Sequence, residues 1–305
     1  MRTDGWELSV GWRDQIGDLG YRLNLNVYDH KSKITKFNNL SGSIDNYYVG
    51  KALNSIYGYR ADGYYSIDDF DMEKAKVGTW VLKEGVVSVS GYSVQPGDVK
   101  FKDLDGNGVI DAGGSTLENP GDREIIGNST SRYQFGGNLG VSWKGLDLNV
   151  LLQGVGKRDY WLGGAALFPF GAAGADGVFW PLYYNQTDYW SAVSYDPQSP
   201  DYMVAKNPDA KLFRVYGQDG NAGSNARVSD KYIQNAAYLR VKNVTLSYSF
   251  PSSLLRKVAL DQLRLYVSVE NLATFTSLPK GYDPESLSWS YPFYRTWSVG
   301  ASITF

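Results

Sequence analysis

The sequence predicts an all-β fold: an antiparallel transmembrane β-barrel segment of about seven strands with long extracellular loops. Three observations predict it. The closing stretch Arg295–Phe305 alternates strictly, the same alternation recurs along the chain, and the connections between alternating segments are short and long in turn.

In the closing stretch, Trp297, Val299, Ala301, Ile303 and Phe305 fall on one side of a strand, and Thr296, Ser298, Gly300, Ser302 and Thr304 on the other. That is the two-residue period of a strand with one apolar and one small, polar face. A soluble sandwich strand shows the same alternation. A last residue that is aromatic, with no polar tail, is more typical of an outer-membrane barrel, where one face meets lipid and the other water.

The remaining strands follow in order. Trp6, Leu8, Val10 and Trp12 share a face, as do Tyr21, Leu23, Leu25 and Val27. Tyr133, Phe135, Gly137, Leu139, Val141 and Trp143 form a third set, and Leu146, Leu148, Val150 and Leu152 a fourth. Val244, Leu246, Tyr248 and Phe250 lie on a fifth, within 236–250, and Leu263, Leu265, Val267 and Val269 on a sixth. Each is near the roughly 9–11 residues that a tilted membrane strand needs. Residues 14–18 and Lys144-Gly145 read as short turns, and 251–260 as a short link opening on Pro251, which cannot continue a ladder. Residues 31–130 and 158–235 are long, and 273–293 intermediate. Structureless loops this long are uncommon in soluble domains, whereas short turns at one end and long loops at the other are the pattern of outer-membrane barrels. With the C-terminus on the periplasmic side, the long loops face outside.

Composition narrows the function classes. Aromatic content is 15 %, dominated by 24 Tyr, which suits an interface that is apolar at one end and wet at the other. An aromatic-rich soluble carbohydrate binder fits it equally. The formal net charge of -2 offers nothing to nucleic acid. With no Cys and one His, His30, cysteine nucleophiles, Ser-His-Asp chemistry and the usual zinc sites are effectively excluded. Carboxylate pairs for glycoside hydrolysis carry little weight among so many surface carboxylates. No apolar run is long enough for a transmembrane helix, and a mean hydropathy of -0.35 is compatible with strands that are half polar. The opening Met-Arg-Thr-Asp-Gly-Trp is no signal peptide, and about seven strands do not close a barrel of this class. Both lead to the expectation that the chain is part of a longer polypeptide.

One segment carries metal-ligand spacing. Asp103-Leu-Asp105-Gly-Asn107-Gly108-Val109-Ile-Asp111 matches the first nine positions of an EF-hand-type loop. Asp103, Asp105 and Asn107 supply oxygens at positions 1, 3 and 5, Gly108 the sharp turn, Val109 a carbonyl, and Asp111 position 9. Hard oxygens converging on one point suit Ca²⁺, in a structural role. Position 12 is Gly114, and Glu118 or Asp122 could substitute for the missing carboxylate after a loop excursion. No helix pattern flanks the loop. The alternative is a plain turn-rich loop, since Asp, Asn and Gly are good turn formers.

Residues 176–216 concentrate aromatics, among them Trp180, Tyr183, Tyr184, Tyr189 and Trp190. They serve either to contact substrate or a partner, or to pack the long loop into a compact cap. Arg240 and Lys242 raise a phase problem. Residues 244–250 place apolar side chains at even numbers, Leu239 and Val241 at odd ones, so the faces of Arg240 and Lys242 hang on a local bulge.

Taken together, these segments resemble the C-terminal third of SusC/RagA-type TonB-dependent outer-membrane transporters. The resemblance runs through Tyr57-Gly-Tyr-Arg-Ala-Asp-Gly63, Gly97 to Asp111, Asp122 to Asn128 and Arg132 to Gly136. It continues in Trp143 to Leu148, Gln153-Gly154, Asp188-Tyr-Trp190, Asn235 to Pro251, Glu270-Asn-Leu272 and Gly281-Tyr-Asp-Pro-Glu285. It implies that residues 1–305 are part of a 22-stranded barrel whose N-terminal plug lies outside this chain. It implies a SusD-like surface lipoprotein as lid, energy from the TonB complex through the plug, and glycans or oligopeptides as cargo. The location implied is the Gram-negative outer membrane, and no enzymatic step is implied. Gly114 stands where the family often has a carboxylate. The alternative expectation is a soluble, Ca²⁺-stabilised β-sandwich that binds carbohydrate.

Overall fold

The computed structural model describes residues 1–163, 187–216, 221–256, 259–287 and 293–305, with Asn221 and Ala222 in backbone only. In chain order its strands are β1 (Arg2–Ile16), β2 (Leu19–Lys33), β3 (Ser55–Tyr59), β4 (Ala61–Tyr64), β5 (Ser88–Val89), β6 (Val99–Phe101), β7 (Val109–Ile110) and β8 (Arg123–Asn128). Then come β9 (Arg132–Trp143), β10 (Leu146–Lys157), β11 (Asp159–Trp161), β12 (Ile233–Asn235), β13 (Tyr238–Ser249), β14 (Gln262–Thr276) and β15 (Thr296–Thr304). The described chain forms two compact units. One is Met1–Lys33, Ser129–Asp159 and Asn235–Phe305; the other is Ile34–Asn128 and Tyr160–Gln234. No helix among the described residues is long and apolar enough to cross a membrane.

The first unit is a seven-stranded antiparallel sheet in the order β1-β2-β9-β10-β13-β14-β15. These are the seven alternating segments. The turns that join β1 to β2 and β9 to β10 are tight. Lys144 and Gly145 both take positive φ, 45° and 89°, as a two-residue hairpin requires. Strand pairing joins the apolar residues into rows across the whole sheet. One row is Trp12–Leu23–Leu139–Val150–Val244–Val269–Trp297. The row beside it on the other face is Gly11–Asn24–Asn138–Leu151–Asn243–Glu270–Thr296. The apolar face is not a core. Leu246 is 50 % exposed and Val299 81 %, and among the described residues no second sheet covers them.

A bulge resolves the phase of β13. Leu151 and Leu152 of β10 pair with Asn243 and Val241, so Lys242 is the extra residue. Val241 and Val244 therefore share the apolar face, and Arg240 and Asn243 the polar one. Opposite the bulge, Asn271 of β14 takes φ 51°. The polar face is glycine-rich because long side chains lie flat on it. A Cβ on Gly300 would stand 2.3 Å from the Tyr266 ring, and one on Gly140 would stand 2.3 Å from Nε of Arg22. At the far end of β2 and β9, where their pairing stops, Asp29 and Arg132 form a bidentate pair through both guanidinium arms.

The second unit has its own hydrophobic interior, assembled from both long connections. Tyr59, Tyr65, Phe70, Val99, Phe101 and Ile110 come from the first, and Leu212, Phe213, Tyr216 and Tyr232 from the second. Tyr65, Phe70, Phe101 and Phe213 are fully enclosed. Burial of each contributes about 1.5–3 kcal/mol, which is how connections this long stay folded. The short helix α1 (Met72–Lys76) starts on Asp71, whose carboxylate accepts from the amides of Glu73 and Lys74. Polar bonds knit the two connections as well. Arg60 pairs with Glu124 and, at 3.2 Å, with Asp230. Buried Asp98 accepts from the Tyr216 hydroxyl at 2.6 Å and from Asn225 Nδ2 at 2.9 Å.

Candidate functional site

The acidic loop lies between β6 and β8 and is flanked by strands, not helices, so it is no EF-hand. Two contacts hold it in the second unit. Phe101, just before it, and Ile110, inside it, are both buried in the core. Val109–Ile110 also pairs in parallel with Ser88–Val89. Between these anchors the chain reverses on Gly106 and Gly108, at φ 77° and 81°.

The turn presents oxygens inward by Asx bonding. Asp103 Oδ1 accepts from the amide of Gly106 at 2.7 Å and Oδ2 from that of Gly108 at 2.8 Å. Asp105 Oδ1 accepts from the Asn107 amide at 3.1 Å, and Asn107 Oδ1 from the Val109 amide at 2.8 Å. The amides of Gly108 and Gly106 hold the Asp103 carboxyl below the usual carboxylate value, partial desolvation notwithstanding.

Carboxylate oxygens of Asp103, Asp105 and Asp122 lie within 4.8 Å of one another. Of the two residues available to replace the missing twelfth ligand, Asp122 is the one brought in, and Glu118 stays out of the cluster. Asp122 is fully buried, with its oxygens bonded to the amides of Leu104 at 2.7 Å and Asp111 at 2.8 Å. A carboxylate has about four acceptor sites, so lone pairs remain for an ion. Asp111, at position 9, lies outside this cluster of three, and its Oδ1 accepts from the Gly113 amide at 2.6 Å. Three converging carboxylates form a hard-oxygen donor set of a kind that suits Ca²⁺ in chemistry.

The aromatic residues divide. Trp180, Tyr183 and Tyr184 lie outside the described residues. Trp190 follows the second of the two readings, as a core residue. It is 2 % exposed, and Gly97 at φ 92° lets the indole lie where a Cβ would stand 2.4 Å away. Tyr189 is partly buried and packs against the larger of the second unit's two clusters. For these two, the aromatics stabilise the loop body itself.

A second charged site was not legible in advance, although its pieces were. The bulge of β13 brings Arg240 and Lys242 to the same turn, Gly281–Glu285. Arg240 Nη2 donates to Asp283 at 2.7 Å, Arg240 Nη1 lies 3.0 Å from Glu285, and Lys242 Nζ lies 2.8 Å from Glu285. Arg240 is 2 % exposed in its side chain. Burial pushes the Asp283 carboxyl up, but the Glu285 amide and the Arg240 guanidinium outweigh it and leave it below the usual value. Phe293 lies over both cations, at 5.3 and 5.0 Å. The signal in the sequence was the change of apolar parity between Val241 and Val244, which marks a bulge.

No family model matches this chain. It is 30 % identical over 273 residues to TonB-dependent receptor P3 of Formosa agariphila, covering 84 % of this chain and 22 % of that protein. It is 23 % identical to TonB-dependent receptor SusC of Bacteroides thetaiotaomicron, covering 100 % of this chain and 26 % of that one. A solved structure of the RagAB peptide transporter aligns with a TM-score of 0.63 at 19 % identity, over 99 % of this chain and 29 % of its own. The chain spans less than a third of the length of each of these proteins.

Proposed function

We propose, from the premise that this chain belongs to the SusC/RagA-type TonB-dependent receptors of the Gram-negative outer membrane, that it forms wall and outer loops of a nutrient importer. The observation that carries the reading is the broad apolar face. The row Trp12–Leu23–Leu139–Val150–Val244–Val269–Trp297 crosses all seven strands, and among the described residues no second sheet covers it. Such a face is stable against hydrocarbon and unstable against water. A soluble sandwich would bury it under a second sheet. The polar face, carpeted with Asn, Ser, Thr and Gly, then lines the water-filled side.

On this reading the second unit stands outside the membrane and takes part in gripping cargo, a glycan or an oligopeptide, beneath a SusD-like lipoprotein. The TonB complex supplies energy through a plug encoded outside these residues. The chain performs no bond-making chemistry. Asp103, Asp105 and Asp122, with Asn107, Val109 and Asp111 in the same loop, would hold a Ca²⁺ ion, which would stiffen the outer loop. Residues Trp180, Tyr183 and Tyr184 are the remaining candidates for contact with cargo or lid.

The test is uptake by cells carrying the full-length receptor, fed labelled oligosaccharides and oligopeptides with TonB intact or deleted. TonB-dependent uptake of one class supports the reading and names the cargo. Equal growth and uptake without the receptor, on every substrate of both classes, sinks it.

A further inference from the structure

The apolar face turns basic at one end. On β1 the even residues and on β2 the odd ones follow the apolar parity. Their pairs run Trp12–Leu23, Val10–Leu25, Leu8–Val27, Trp6–Asp29, Asp4–Lys31 and Arg2–Lys33. Trp6 closes the apolar run, and the next two pairs bring Lys31, Arg2 and Lys33, all exposed. A Trp at the rim of a hydrocarbon-facing band marks the headgroup level. The three cations stand just beyond it, at the end from which the first long connection leaves. Asp4 is the carboxylate among them, and it is bound to Arg2 at 2.9 Å. Asp29 is taken up by Arg132, and Glu7 and His30 follow the parity of the polar face. Among the described residues, the Lys31 and Lys33 ammonium groups form no hydrogen bond or ion pair.

Beside the apolar pairs of the same strands lies a recess of about 300 Å³, lined by Leu8, Val10, Leu25, Val27 and Phe135 among others. These five side chains all have the apolar parity of β1, β2 and β9. Lys31 lies four residues beyond Val27, about 13 Å along the strand. At a barrel tilt of about 40° that is about 10 Å of height. The spacing suits an acyl chain laid in the recess with its headgroup against the lysines.

We infer that this end of β1 and β2 binds a membrane lipid with an anionic phosphate headgroup, its phosphate oxygens on Lys31, Lys33 and Arg2 and an acyl chain in the recess. Charge selects the headgroup. Three cations against one carboxylate leave a positive surplus at headgroup level, which an anionic phosphate complements and a zwitterionic headgroup, bringing its own cation, does not. The recess does not select by transfer from water, since lipid tails are already as apolar as leucine. It holds the chain in place, so that the headgroup stays beside the lysines. A soluble anion has no such anchor. The inference rests on the apolar face meeting hydrocarbon, as proposed above.

The experiment uses the full-length receptor folded into vesicles of equal phosphatidylcholine and phosphatidic acid, then extracted in mild detergent. Mass spectrometry identifies the lipid retained. The expected result is phosphatidic acid retained over phosphatidylcholine by about tenfold. Lys31→Gln/Lys33→Gln removes most of that preference, since each lysine at a lipid surface contributes about fivefold. Both side chains are exposed, and heat-modifiable migration in gels checks that the variant folds. Val10→Phe, which fills the recess, lowers retention several-fold with the lysines intact. Equal retention of the two lipids, or a preference that the lysine variant leaves unchanged, overturns the inference. Inorganic phosphate that displaces the lipid at equal concentration also overturns it, because the site would then take an anion from solution. Leu246→Cys, on the same face and three strands from β2, tests the premise separately with a lipid-phase thiol reagent. No labelling there overturns the membrane reading, whereas labelling without a headgroup preference overturns this inference alone.

Discussion

Leu139 and Asn138 are neighbours on β9, at nearly the same depth, and they face opposite ways. Leu139 belongs to the apolar row between Leu23 and Val150, and Asn138 to the polar row between Asn24 and Leu151. Lys at the midplane of a barrel's lipid face costs about 2–4 kcal/mol, whereas lumen substitutions cost little. Leu139→Lys is therefore expected to shift the folding equilibrium roughly 30- to 700-fold, and Asn138→Lys by less than about tenfold. The assay is folding of the full-length receptor into lipid vesicles across a urea series, read by heat-modifiable migration in gels. Attenuated-lipid controls in detergent show whether the penalty follows the hydrocarbon. Equal penalties for the two lysines, or a larger one for Asn138→Lys, would refute the assignment of faces and with it the membrane reading.

Terbium luminescence or calorimetry on the acidic loop should show Ca²⁺ affinity lowered roughly tenfold or more by Asp103→Asn and by Asp122→Asn, with Glu118→Gln without effect. Asp98 gives a pH signature. Burial raises its carboxyl to about 6, against bonds from Tyr216, Asn225 and the Gln95 amide that pull it down. Between 3.8 and about 6 the folded unit thus holds a proton that the unfolded chain has lost. Its stability contribution falls as pH rises through that window, by about 3 kcal/mol in all, and is flat above it. The difference between Asp98→Asn and the parent should grow in the variant's favour over the same window, as read by hydrogen exchange of the second unit. A difference independent of pH would contradict it. Arg240→Ala leaves Asp283 buried without its cation and Glu285 with Lys242 alone, and should cost about 3–5 kcal/mol, with faster exchange across 277–287. Arg240→Lys should recover only part of this, since one ammonium cannot reproduce the guanidinium fork.

The sheet was legible because lipid and water impose opposite demands on alternate residues, and that demand is written in every strand. It fades where the strands leave hydrocarbon. Asp29-His-Lys-Ser-Lys33 carries no alternation, yet β2 continues through it. The bulge was legible only as a contradiction in parity, because a backbone irregularity has no residue type of its own. The acidic turn could be read from spacing, since Asx bonds are local. The choice of Asp122 over Glu118 and the place of Asp111 outside the cluster depend on how the chain closes after Gly113. Trp190 was ambiguous because an aromatic platform and an aromatic core have the same composition. Only the shared core of the two long connections separates them.

The bulge at Lys242 has an evolutionary corollary. In an uninterrupted strand, the side chains beyond position 242 would change sides, with Arg240 among the lipid chains and Val241 in the water. The extra residue acts as a spacer that absorbs one step of phase. Against β10, loss of Lys242 would therefore keep every other β13 side chain on its present face, whereas a deletion elsewhere in the strand would invert part of it. Length variation among related chains should be tolerated at this one position of β13, where losing the residue costs its ion pair with Glu285 and its contact with the Phe293 ring.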